Sequence, residues 1–231
     1  MATPSVYGSM STALAAVTGA RVWVVQATAV DWGLAVWQTG WSRLLRKVHA
    51  AVTLARGTPG QGQIVLVGHS AGGLLARLYL APRPLPDCPC RGADVVGHVI
   101  TLGTPHVNRG GVTRGGKLSR FVEASYPGSY FGARVTYTSV VGELHRSYRS
   151  SPRGWLAGAM YSEIGGSSEA AGDGLIPVRS ALLAGSRQII LRDVSHHAVV
   201  GSEWYGSPAV IPRWWSAAHG DAPIAGSPIL A

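Results

Sequence analysis

Four consecutive aliphatic residues, Ile64, Val65, Leu66 and Val67, run straight into Gly68, His69, Ser70, Ala71 and Gly72, after which Leu74, Leu75, Leu78 and Tyr79 recur at helical spacing. An uninterrupted apolar run of this length suits a strand covered on both faces, and the second pattern suits a helix with one buried face. Only a glycine-flanked turn separates the two, so the chain must pass from strand to helix in one sharp bend. A strand buried on both sides needs helices on each side of its sheet, which places the chain in the α/β class. The alternation continues elsewhere. Val22 to Gln26, Val95 to Leu102, Val135 to Val141 and Gln188 to Leu191 are further strand candidates. After Trp41, the residues Leu44, Leu45, Val48, Val52 and Ala55 recur at helical spacing with Arg43, Arg46 and Lys47 between them. Strands alternating with helices predict a mostly parallel central sheet flanked by helices.

A chain of 231 residues with 46% hydrophobic content is long enough to bury one substantial core. Neither an internal repeat nor a linker divides it, so residues 1–231 read as a single domain. Residues 104–133, rich in glycine and basic side chains, read as an inserted loop or small lid.

The chemistry suggested by the bend is nucleophilic. Gly68, His69, Ser70, Ala71 and Gly72 spell G-x-S-x-G, a pattern short enough to arise by chance in a chain with 31 glycines. Its position between a buried strand and a helix start is what gives it weight, because a hydroxyl on such a turn stands clear of the sheet. The helix amino terminus behind it favours developing negative charge, and the backbone N–H of Ala71 is one oxyanion donor. Serine needs a base to take its proton and an acid to orient that base. Where a nucleophile sits on this kind of turn the chain order is Ser, acid, His. Asp173, within Gly172-Asp173-Gly174, is the candidate acid, with Glu143 as the alternative. His196 is the preferred base and its neighbour His197 the alternative. The plainer readings are a turn-forming Asp173 and surface histidines.

Twenty Lys and Arg against eleven Asp and Glu give a formal charge of +9. Eight of the basic residues fall between Arg109 and Arg153, among them Arg114, Lys117, Arg120, Arg134, Arg146 and Arg149. A solvated basic face is the first reading and peripheral contact with an anionic membrane surface the second. No alternation of aromatic and basic residues marks a nucleic-acid groove. Cys88 and Cys90, one residue apart, are expected to be reduced thiols. No stretch approaches the roughly 18 apolar residues of a membrane span, so the chain reads as soluble, in a cytoplasmic or plastid setting.

Several blocks resemble the lipase-like α/β-hydrolases of plants and cyanobacteria, a branch near the triacylglycerol lipases and the inositol-deacylase-like lipases. They are Val30-Asp31-Trp32, Val67 to Leu75, Thr101 to His106, Tyr126 to Tyr130, Gly172 to Pro177 with Ala181 to Leu183, Val194-Ser195-His196, and Trp204-Tyr205-Gly206 ahead of Arg213 and Trp214. The resemblance implies the α/β-hydrolase fold, with Ser70 as nucleophile, Asp173 as acid and His196 as base, acting without cofactor or metal. It implies hydrolysis of carboxylic esters, with a lipid or other acyl-chain ester as the substrate partner. Acyl transfer by the same residues, or a truncated form that only binds lipid or protein, are the alternatives. Thr104, Pro105 and His106 are expected at the site mouth, His106 as a structural or lid-side residue and not a second base, and Trp155, Tyr126, Tyr130 and Trp204 are candidate contacts for the acyl chain. In that fold a strand ending in a Gly-containing loop lies beside the nucleophile strand and supplies the second oxyanion N–H. Here Pro4 to Gly8 resemble only the tail of that motif, so part of the N-terminal strand region is expected to be lacking, with Val6 or Tyr7 as the remaining donor.

Overall fold

The computed structural model describes residues 4–35, 38–57, 62–86, 88, 90–108, 116–144, 164, 171–219 and 227–231. The apolar run forms β2 (Ile64–His69), and the turn at Ser70 leads directly into α4 (Ala71–Tyr79). Because side chains alternate across a strand, β2 serves two cores. Ile64 and Leu66 pack with helices α3 (Gln38–Arg56), α4 and α5 (Gly116–Ser125), through Leu45, Val52, Leu78 and Val122 among others. Val65 and Val67 face α1 (Pro4–Thr18) and α7 (Ile211–His219), against Met10, Leu14, Ile211 and Trp214. The sheet is thus buried between two helical layers, which is why its central strand carries no polar face.

The remaining strands are β1 (Val22–Trp23), β3 (Val96–Leu102), β4 (Thr136–Glu143), β5 (Arg187–Arg192) and β6 (Ile229–Leu230). They form one sheet in the order β1-β6-β2-β3-β4-β5, and every pairing is parallel. A short α2 (Ala29–Leu34) follows β1, a 3-10 turn (Gly92–Asp94) precedes β3, and α6 (Val178–Ala181) precedes β5. Of the Val22 to Gln26 strand candidate Val22 and Trp23 form the strand, and Val25 N–H also donates to Ala231 O at 3.0 Å.

Two expectations are corrected. The slot beside β2, expected to be left open by a missing front strand, is filled from the other end of the chain. Ile229 and Leu230 pair with Val65 and Leu66 on one side and with Val22 and Trp23 on the other. Val65 N–H donates to Pro228 O at 3.0 Å and Ala231 N–H to Trp23 O at 2.9 Å, so the sheet centre has no run of unpaired backbone at this point. Pro4 to Gly8 open α1 instead of ending a loop. The second correction concerns Cys88 and Cys90, which are disulfide-bonded to each other, with both side chains buried. Spacing alone could not reveal this, because the bond depends on how the proline-rich connection folds back. Within the 104–133 stretch, α5 packs against α4 through buried Leu118 and Val122.

Candidate active site

Ser70 has φ 54° and ψ −129°, a conformation that non-glycine residues avoid. Its N–H donates to Leu102 O at 2.9 Å and its carbonyl accepts from Gly73 N–H at 3.1 Å, fixing the bend between β2 and α4. The bend is possible because the backbones touch: a Cβ on Gly68 would lie 2.5 Å from Gly73 Cα. The Ser70 hydroxyl makes no capping bond to α4 and opens on a cavity of about 600 Å³. Ala71, His196 and His197 line the same cavity, whose wall also includes Met10, Trp32, Leu44, Val48, Leu75 and Leu230.

Asp173 lies in the turn just ahead of α6 and is completely buried. Its Oδ1 accepts the N–H groups of Leu175 at 3.0 Å and Ile176 at 2.7 Å, so the glycine-flanked turn that the sequence suggests is built around the carboxylate. Its Oδ2 accepts from His196 Nδ1 at 2.8 Å and from the Tyr205 hydroxyl at 2.6 Å. The backbone repeats the link, since His196 N–H donates to Asp173 O at 2.8 Å. With Nδ1 donating to a carboxylate, the neutral imidazole carries its lone pair on Nε2, the tautomer a general base requires. Glu143 ends β4, where its carbonyl accepts from Asp193 N–H. His197 accepts from Val199 N–H and lies against Trp204. Asp173 is therefore the carboxylate brought to His196.

No protein-family model matches the chain, and no curated protein sequence matches it. Among solved structures it is similar to the crystal structure of Bacillus licheniformis lipase BlEst2 in mature form. The TM-score is 0.53 at 15% identity, over 84% of this chain and 91% of that chain. The chain has the α/β-hydrolase fold.

Two residues to which the sequence assigns no role, His69 and Gly103, sit against the site in this fold. His69, between Gly68 and Ser70, is half-buried and lines the cavity, and desolvation holds its imidazole well below the usual range, so it is neutral. The phenol of Tyr7, pushed up to about 12 by burial, stays protonated and donates to His69 Nδ1 at 2.8 Å. His69 Nε2–H then donates to His196 O at 2.9 Å, tying the histidine loop to β2. Gly103, at φ +55°, passes so close to the site that a Cβ there would lie 2.6 Å from Asp173 Oδ2 and 2.9 Å from His196 Nδ1. Neither role has a local sequence signal, because the partners lie far apart in the chain.

Thr104, Pro105 and His106 do not line the cavity, and His106 has a structural place instead. Thr104 and His106 are fully buried. His106 accepts at Nδ1 from the buried guanidinium of Arg77 at 3.1 Å and reaches Thr101 Oγ1 at 3.0 Å through Nε2, and burial keeps it neutral. Arg77 also donates to the carbonyls of Tyr126 and Gly128, so this cluster fastens α4 to the loop after α5. The cavity takes its aromatic wall from Tyr7 and Trp32 instead of Tyr126, Tyr130 or Trp204. Trp155 and Arg109, Arg114, Arg146, Arg149 and Arg153 lie outside the described residues. Among the described residues, no three His, Cys, Asp or Glu side chains gather as a metal site, and no helix is long and apolar enough to cross a membrane.

Proposed function

We propose that the chain is a carboxylic ester hydrolase for substrates with an apolar acyl group, working through Ser70, His196 and Asp173. The observation that carries this reading is the buried Asp173–His196 pair, whose His196 lines with Ser70 one largely apolar cavity of about 600 Å³. That volume lies in the range of pockets that enclose small organic ligands. The resemblance to lipase-like hydrolases and the likeness to a bacterial lipase structure point the same way.

In this mechanism His196 Nε2 takes the Ser70 proton as Oγ attacks the ester carbonyl. The charge that develops on the carbonyl oxygen is met by Ala71 N–H, one of the N–H groups at the start of α4 with no partner inside the helix. A second donor comes from Val6 or Tyr7 in the opening turns of α1, the helix whose Tyr7 and Met10 line the cavity. The imidazolium, steadied by Asp173, returns the proton to the departing alcohol. Water then repeats the sequence on the acyl-enzyme: His196 removes its proton, the acid is released and Ser70 recovers its hydrogen. An added alcohol that raised ester yield at the expense of free acid would instead mark acyl transfer.

Ser70→Ala is expected to abolish both ester turnover and covalent labelling by a fluorophosphonate. Undiminished labelling or turnover in that variant would overturn the assignment, and a wild-type chain that folds but is never labelled would indicate a binding protein.

A further inference from the structure

We propose that Tyr205 is a positioning residue that limits how strongly Asp173 draws on His196, and so sets the pH at which His196 can act as a base. This rests on the assignment of Asp173 and His196 given above. Tyr205 belongs to the Trp204-Tyr205-Gly206 block between β5 and α7 and is fully buried. Its hydroxyl accepts Gly142 N–H, at the end of β4, at 2.8 Å. A backbone N–H can only donate, so the single phenolic hydrogen is committed to Asp173 Oδ2, 2.6 Å away.

His196 Nδ1 approaches that same oxygen at 2.8 Å. The other oxygen is occupied by Leu175 and Ile176 N–H, so the carboxylate has four donors and no water is needed to complete it. Trp214 Nε1–H donates to Tyr205 O at 2.9 Å and fixes the residue from behind. Gly103 leaves room for the ring: a Cβ there would lie 2.9 Å from Tyr205 Cε2.

Two donors sharing one oxygen divide its charge, and each weakens the other's bond. Tyr205 thereby stabilises the carboxylate in its own right and lowers the affinity of His196 for a second proton. The other titratable groups facing His196 are His69, whose ring lies 4.6 Å away centroid to centroid and is held neutral by burial, and the adjacent His197. Neither touches Asp173 Oδ2, so their contribution is common to wild type and Tyr205 variants.

The test is the pH dependence of second-order labelling by a fluorophosphonate in the full chain, for wild type, Tyr205→Phe, and a variant with ring-fluorinated tyrosine at position 205. Loss of the hydroxyl should move the acid limb to higher pH by about 0.5 to 1 unit, and the stronger fluorinated donor should move it to lower pH. A purely structural hydroxyl would lower the melting temperature of Tyr205→Phe and leave both limbs where they are in wild type, which would overturn the proposal. If Tyr205→Phe does not fold, the fluorinated variant decides alone. Failure of the underlying assignment looks different, because labelling would then survive Ser70→Ala whatever stands at position 205.

Discussion

Ser70 is held in a backbone conformation that costs on the order of 1 to 3 kcal/mol, and the surrounding contacts leave it no alternative. Its neighbours show what is exchanged for that strain. Gly103 runs so near Asp173 and His196 that any side chain there must displace one of them, and its positive φ adds strain for any substitute. Gly103→Ala is therefore expected to lower ester turnover by about 10² or more, because a displacement of an ångström at the reacting groups is enough for such a loss. Steady-state kinetics checks this, with the fluorophosphonate labelling rate as a second reading; near-normal kinetics would show that the loop can yield. At this scale the sequence was legible where chemistry has a fixed order along the chain. Ser70, Asp173 and His196 could be named from turn context and order, whereas Tyr205, His69 and Gly103 could not. Their roles are set by partners such as Gly142, Tyr7 and Asp173, which only the fold brings near.

At the level of elements, short pieces are held in place by polar anchors. Helix α2 has six residues, too few to be stable alone, yet its Trp32 forms part of the cavity wall. The helix is fixed by Asp31, whose buried carboxylate accepts from Lys47, from Arg43 and from the N–H and hydroxyl of Thr28. Lys47 is the largest cause, followed by the Thr28 N–H and Arg43, of an Asp31 carboxyl held well below the usual range. A carboxylate depressed in the folded state adds stability above its unfolded pKa, near 3.9, and loses it as pH falls towards the folded value. Asp31→Asn should thus be less stable than wild type at pH 7, and the difference should shrink steadily below about pH 4. Urea titrations at a series of pH values measure it; a difference independent of pH would mean that the charge does not anchor α2. Long elements such as β2, β3 and α4 were readable because their apolar periodicity spans several residues. The α2 anchor was not, since Asp31 stands 12 and 16 residues from Arg43 and Lys47. The Cys88–Cys90 bond escaped for a related reason, as two cysteines in a proline-rich stretch say nothing about the direction in which the chain turns.

For the molecule as a whole, the decisive feature is that its central strand is completed by residues more than 160 positions away. Val65 and Leu66 of β2 pair with Ile229 and Leu230. A strand of two residues carries no periodicity, so only the pairing itself identifies Ile229 and Leu230 as one. The resemblance implies a strand beside β2 from the front of the chain and that this strand is lacking; the pairing comes from residues 229–230 instead, which stayed hidden because order along the chain is the only order a sequence displays. The consequence is energetic. Ile229 and Leu230 are almost wholly buried, and Leu230 also faces the cavity. Leu230→Ala removes buried methyl groups where the sheet and the cavity wall meet, and should cost about 2 to 5 kcal/mol. Ile229→Asn puts an unpaired amide in the apolar layer that holds Met10, Leu14 and Trp214 and should cost at least as much. Because these contacts close the longest loop in the sheet, they form late if folding begins from the local β2-α4 unit. Both substitutions should then accelerate unfolding far more than they slow refolding. Denaturant chevrons of the two variants measure this directly, and an effect confined to the refolding limb would place the pairing of β6 in the folding nucleus instead.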